Sequence, residues 1–201
     1  MDSDINWLHL PAEIWEIILS NLEAKHLLKA SETCKQFNDL LSKSQLLIKK
    51  LCLEIGSIFM QYHIRNDGNA YEKYFCELNL MKECLQKLER KYEKIRICAI
   101  LDFEQDDMID VIYDILKQLE KSVKQITFYN STLQDDEFFK MIQIMKNLKV
   151  LKFRRGRFCD EATSEIQSDT FPTINEIYIE QVKGFSFEKL YLFDNLTTLD
   201  F

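Results

Sequence analysis

Between residues 95 and 201 one short apolar pattern, apolar-x-x-apolar-x-apolar, recurs five times, and it restricts the possible folds more than any other feature of the chain. Its units are Cys98-Leu101-Phe103, Val123-Ile126-Phe128, Leu148-Leu151-Phe153, Ile174-Ile177-Ile179 and Leu196-Leu199-Phe201. At the middle residue the spacing is 25 (126 − 101), 25 (151 − 126), 26 (177 − 151) and 22 (199 − 177). The last two positions alternate as in a strand with one buried face. Helical patterns fill the intervals: Ile109, Ile112, Leu116 and Leu119; Phe138, Ile142 and Met145; the poorer Ile166; and Phe187, Leu190 and Phe193. One such unit cannot bury its own apolar face, so the units must stack. The spacing therefore predicts an α/β solenoid with a parallel sheet.

Acidic pairs precede the helices at Asp106-Asp107, Asp135-Asp136 and Asp160-Glu161. Carboxylates are favoured at helix N-termini by about 0.3 to 1 kcal/mol, so they read as capping residues, neither catalytic nor calcium ligands. The period resembles that of leucine-rich repeats, roughly 20 to 29 residues, although the asparagine usual after the third apolar position is absent. That resemblance implies a strand face left open for a partner. Its side chains come from the remaining positions: Asp102, Thr127, Lys152, Tyr178 and Asp200 inside the strands, with Glu104, Tyr129, Arg154 and Glu180 just beyond. Lys149, Lys152, Arg154, Arg155 and Arg157 make the third unit basic in a chain of net charge −7. Arginine forks suit carboxylate or phosphate acceptors, and tyrosines supply rigid contact area. Tyr129, Lys152, Arg154 and Tyr178 are the candidate client-binding residues, for an acidic or phosphorylated segment.

The other organised stretch runs from Leu8 to Leu53. Pro11 opens a helix carrying Ile14, Ile17, Ile18 and Leu22, since proline is tolerated in a first turn. Leu27, Ala30, Cys34, Phe37 and Leu41 make a second stripe, of one helix or two short ones in line, and Leu46, Leu47, Leu51 and Leu53 a third group. So short a stretch cannot enclose all of these side chains in a private core. In order and spacing, Leu10-Pro11-x-Glu13-Ile14-x-x-x-Ile18-Leu19-Ser20-x-Leu22, then Leu27-Leu28-x-Ala30-Ser31-x-x-Cys34-Lys35-x-Phe37, then Leu47-Ile48-Lys49-Lys50-Leu51-Cys52 resemble the F-box proteins. The family often has an aspartate-proline pair where Glu23-Ala24-Lys25-His26 stands, and tryptophans in place of Phe37 and Ile48. The resemblance implies docking on the Skp-family adaptor and, through it, on a cullin-RING ubiquitin ligase. Leu10, Pro11, Ile14, Ile17, Leu27, Leu28 and Leu40 are the residues it would place against that adaptor.

Between the two parts, the third helix is expected to continue through Cys52 toward Tyr62. A turn follows at Asn66-Asp67-Gly68-Asn69, and a linker helix is expected from Ala70 to about Lys94, with Tyr74, Leu78, Met81, Leu85, Leu88 and Tyr92 along one face. The expected division is residues 1–55 for adaptor docking, 56–94 for a helical linker and 95–201 for the repeats. The last strand ends without a capping segment, which suits a fragment of a longer chain or an end covered by a partner.

No apolar run approaches the roughly 18 residues of a membrane span, and the acidic start Met1-Asp2-Ser3-Asp4 is unlike a secretory signal. The net negative charge disfavours nucleic acid. Cys34, Cys52, Cys76, Cys84, Cys98 and Cys159 include no C-x-x-C pair, and only three histidines accompany them. That pattern fits reduced thiols in the cytoplasm or nucleus, with Cys34 and Cys98 on apolar faces, and no metal site. With glycine only at positions 56, 68, 156 and 184 there is no phosphate-cradling loop and no nucleophile elbow. No cofactor and no catalysis are expected. The function implied is that of a non-catalytic substrate receptor that binds the adaptor, its cullin and a client protein. The alternative is a repeat scaffold that holds a partner, with or without the adaptor, and promotes no ubiquitination.

Overall fold

Pro11 sets where the helical part begins. The computed structural model describes residues 10–56, 61–66, 69–74, 91–98, 106–159, 171, 173–185 and 187–201. Pro11 precedes helix α1 (Ala12–Ser20) as its N-cap, and its carbonyl accepts from the N–H groups of Ile14 and Trp15 at 3.1 and 3.2 Å. At the other end the Lys50 ammonium donates to the carbonyls of Ser20 and Leu22, two acceptors that a helix terminus leaves open. The second apolar stripe folds as two helices, α2 (Ala24–Thr33) and α3 (Lys35–Lys43). They part at Cys34, which is extended at φ −156° and ψ 157°. Ser31 and Thr33 bond back to the carbonyls of Leu28 and Ala30, a competition with the helical ladder that favours ending there. A last turn, α4 (Gln45–Ile48), is capped by the Ser44 hydroxyl, which accepts from the Leu47 N–H at 3.4 Å.

The chain then becomes sheet. Strand β1 (Cys52–Gly56) is followed by β2 (Gln61–Asn66) and β3 (Asn69–Tyr74). The helix expected to run past Cys52 toward Tyr62 is therefore corrected: Leu51, Leu53 and Ile55 are all buried, an alternation by two that a strand satisfies and a helix cannot. The turn signal does not separate a helix from a linker: β2 and β3 on either side of it pair antiparallel, with Asn66 opposite Asn69, and Asp67 and Gly68 lie outside the described residues. Of the expected linker helix from Ala70, the part up to Tyr74 is strand and residues 75–90 lie outside the described residues.

Strand β4 (Lys94–Cys98) pairs with β1 in parallel. Beyond it come helix α5 (Asp106–Leu119), β5 (Gln125–Tyr129), the short β6 (Thr132–Gln134), α6 (Asp135–Ile144), β7 (Val150–Cys159), β8 (Glu176–Lys183), a 3-10 helix (Phe187–Leu192) and β9 (Thr198–Asp200). The sheet order is β3-β2-β1-β4-β5-β7-β8-β9, with β6 paired beside β7. Every pairing from β1 through β4, β5, β7 and β8 to β9 is parallel. The architecture is thus α/β, an N-terminal helical region followed by a parallel sheet with interspersed helices. Asp106 and Asp135 open α5 and α6; Asp160-Glu161 and Ile166 lie outside the described residues.

Register corrects the first repeat. Ile126 pairs with Ile95, and Phe128 with Ile97, so the first strand is Lys94–Cys98, not the segment around Leu101; Leu101, Asp102 and Phe103 lie outside the described residues. The run Ile95-Arg96-Ile97-Cys98-Ala99-Ile100-Leu101-Asp102-Phe103 offers two alternating frames, and the pairing takes the earlier. The step from β4 to β5 is consequently 31 residues (126 − 95), which accommodates the longest helix of the series. The remaining units hold their register: Ile126 beside Leu151, Leu151 beside Ile177, Ile177 beside Leu199.

Two backbone features recur with the units. The carbonyls of Glu93, Lys124, Lys149 and Asn175 each accept two N–H groups from the next unit, at 2.8 to 3.1 Å. Asn130, Arg155 and Gln181, each two residues past the third apolar position, have φ of 51°, 53° and 55°. Pairing of β7 with β8 passes from Arg154–Glu180 to Gly156–Val182, so these left-handed residues form a stacked kink. Under the sheet, Phe128, Phe138, Phe153, Phe158 and Phe185 are linked by ring contacts with centroids 5.1 to 5.8 Å apart. The buried cluster continues through Ile95, Leu53, Leu51, Leu47 and Leu28 to Leu19, so helices and sheet share one core.

Candidate functional site

Two surfaces carry the residues singled out in the sequence. The first is α1 with its neighbours. Ile14, Ile17 and Ile18 are 42%, 59% and 41% exposed, and Leu46 of α4 is 48% exposed. Pro11 is exposed, and Leu10 and Leu40 are half-buried. Leu27 and Leu28 are only 2% and 3% exposed; they fasten α2 to the shared core. The opposite side of α1 is fixed by Trp15, whose ring meets Phe37 of α3 edge to face at 4.6 Å. Leu40 lines an open surface cavity of about 490 Å³ with Ala12 and Glu16 of α1 and Asp39 and Lys43 of α3. Ile18 and Leu46 belong to the exposed apolar set as well. Ile18 was visible in the helical pattern, whereas nothing in the spacing of Leu46 and Leu47 says which of the two turns outward.

The second surface is the sheet face opposite the one on which Phe138 of α6 packs. Strand alternation places on it, in register, Glu54, Arg96, Thr127, Lys152, Tyr178 and Asp200. The next row carries Cys98, Tyr129, Arg154 and Glu180. Tyr129, Lys152, Arg154 and Tyr178 are thus brought together, and Arg96, missed with the misplaced first unit, joins them. Arg154 pairs with Glu180 at 3.0 Å and Arg96 with Glu54 at 3.5 Å. The Lys152 ammonium stands 4.4 Å from the Tyr178 ring centroid. Burial, then the neighbouring Arg154 charge, lowers the Lys152 pKa. A hydrogen bond from the Tyr178 hydroxyl to the Glu176 carboxylate, 3.0 Å long, raises that of Tyr178.

Among the described residues no three His, Cys, Asp or Glu side chains are grouped to hold a metal ion. Cys34, Cys52, Cys98 and Cys159 are half-buried; Cys76 and Cys84 lie outside the described residues. No described helix is long and apolar enough to cross a membrane.

These helices fall within a recognisable class of module: residues 7–54 match the F-box-like family. The match takes in α1 to α4 and most of β1, so the chain carries an F-box-like domain whose end is the first parallel strand of the sheet. No curated protein matches the chain.

Proposed function

We propose that the chain is a non-catalytic substrate receptor of a Skp-cullin-F-box ubiquitin ligase, acting in the cytoplasm or nucleus. Residues 1–55 dock on the Skp-family adaptor, residues 95–201 form a leucine-rich-repeat-like client-binding part, and residues 56–94, with the β2–β3 hairpin, lie between. The observation that carries this reading is the F-box-like match over residues 7–54, together with three isoleucines of α1 held out in solvent. An apolar side chain fully removed from water contributes roughly 1.5 to 3 kcal/mol, so Ile14, Ile17 and Ile18 can offset much of the entropy cost of docking. Leu10, Pro11 and Leu40 border the same surface, and Leu27 and Leu28 support it from within. The near-constant spacing, the shared register and the stacked kink at Asn130, Arg155 and Gln181 support the repeat reading. Such a subunit contributes to ubiquitin transfer by raising the effective concentration of the client near the charged enzyme.

The test is co-purification with the adaptor and a cullin. Ile14→Ser with Ile17→Ser should abolish adaptor capture while the melting temperature stays near wild type, because both side chains are exposed. Capture of the adaptor without cullin would favour a scaffold, and capture of neither would remove the receptor reading.

A further inference from the structure

The segment from Lys149 to Arg157 holds five basic residues and no acidic one, in a chain whose net charge is −7. On the open face its charges are not dispersed. The guanidiniums of Arg96 and Arg155 both stand over the Tyr129 ring, 5.6 and 5.9 Å from its centroid, and Arg155 Nη1 donates to the Tyr129 hydroxyl at 3.1 Å. Like charges gathered on one ring repel each other, and the ring offsets only part of that repulsion. Lys152 is held in the same way, over Tyr178. Arg96 and Arg154 have carboxylate partners, Glu54 and Glu180. Among the described residues none stands within ion-pair distance of Lys152, Arg155 or Arg157. Lys152, attracted by the Glu176 carboxylate that already accepts from Tyr178, and Arg155, exposed and without an ion pair among the described residues, are set against aromatic rings and are complementary to an anion supplied from outside.

Resting on the receptor reading above, we propose that Lys152 and Arg155, held by Tyr178 and Tyr129, form an anion-binding strip for an extended client segment bearing anionic side chains. Carboxylate and phosphate share the chemistry required, a planar or tetrahedral array of oxygens accepting charge-assisted hydrogen bonds. An anion laid on the strip relieves the mutual repulsion of the cations and the desolvation of Lys152 together. Arg96 and Arg154, already joined to Glu54 and Glu180, border the strip and contribute less.

The experiment measures fluorescence anisotropy of three labelled peptides, with glutamate, phosphoserine or glutamine alternating with glycine, titrated with the full chain. At least one anionic peptide should bind while the glutamine peptide does not, and the tighter of the two identifies the source of the charge. Lys152→Gln with Arg155→Gln should weaken that binding by at least about tenfold, and Arg154→Gln should have a smaller effect. If the double variant fails to fold, Arg155→Gln alone, at an exposed position, carries the same expectation. Equal binding of all three peptides, unchanged binding to the variants, or stronger binding of single-stranded DNA than of either peptide overturns the strip. Adaptor capture is read on the same preparations. Adaptor retained without selective peptide binding removes the strip alone, and selective peptide binding without adaptor capture removes the receptor reading alone.

Discussion

Gly184 has φ +74°, and a Cβ built there would lie 2.5 Å from the Phe158 carbonyl oxygen. Gly184→Ala therefore combines a left-handed penalty of about 1 to 2 kcal/mol with a clash against backbone, and the unfolding free energy from urea titration should fall by at least that much. Gln181, at φ 55°, gives the complementary case: Gln181→Val should destabilise and Gln181→Gly should not, since a β-branched side chain resists that region more than glutamine does and glycine does not resist it at all. Lys152 adds a pH dependence. Its folded pKa lies below the free value of 10.5, so between the two values the unfolded chain binds more protons and stability rises with pH. Below the folded value both states hold the proton, and the penalty for burying the ammonium is present in full. Urea midpoints of wild type and Lys152→Met, followed from neutral pH toward 10.5, should therefore shift in favour of wild type as the pH rises. The kink at Asn130, Arg155 and Gln181 could not be located in advance: a left-handed residue leaves a sequence signal when it is glycine or asparagine, and Arg155 and Gln181 are neither.

Among the elements, α1 depends on a contact from outside itself. Lys50 reaches back across α2 and α3 in the sequence to the carbonyls at the end of α1, and hydrogen bonds made by a charged group contribute about 1.5 to 3 kcal/mol. Lys50→Met keeps the apolar stem and removes the donor. Thermal melting should show a loss of that order, and adaptor capture should weaken although Lys50 is not one of the exposed apolar residues. The helices of this region were legible because Leu10-Pro11 and the spacing from Ile14 to Leu41 follow the helical period. The strands after Ile48 were not, because Leu47 and Leu51 also fit a helix and only pairing with Ile95 and Ile97 decides for the alternation of Leu51, Leu53 and Ile55. The 3-10 helix at Phe187–Leu192 has a related cause. The step from β8 to β9 is only 22 residues between paired positions (199 − 177), and that interval has room for a tight turn of helix where longer steps hold α5 and α6. Lys152 and Tyr178 were legible as neighbours on one sheet face, and Arg96 was passed over because the frame of the first unit was shifted.

At the scale of the molecule, the question is whether the F-box-like helices and the repeat sheet are two cooperative units or one. A helical linker would make them two. Instead Leu47, Leu51 and Leu53 pass directly from the helices into a strand, and Leu53 pairs with Ile95 in the same sheet that carries Phe128 and Phe153. Phe153 touches four other rings, and Phe153→Ala should cost about 3 to 5 kcal/mol. In a single cooperative unit that loss is felt at a distance. Trp15, packed on Phe37 in α1 and α3, reports on the helices once Trp7 is replaced by phenylalanine, and far-ultraviolet circular dichroism reports on the whole chain. In urea the two signals should change at one midpoint, and Phe153→Ala should move both by the same amount although Trp15 lies in the F-box-like helices. A Trp15 transition that precedes the dichroism change, or that ignores Phe153→Ala, would mean that these helices unfold separately and that the shared core does not couple them to the sheet.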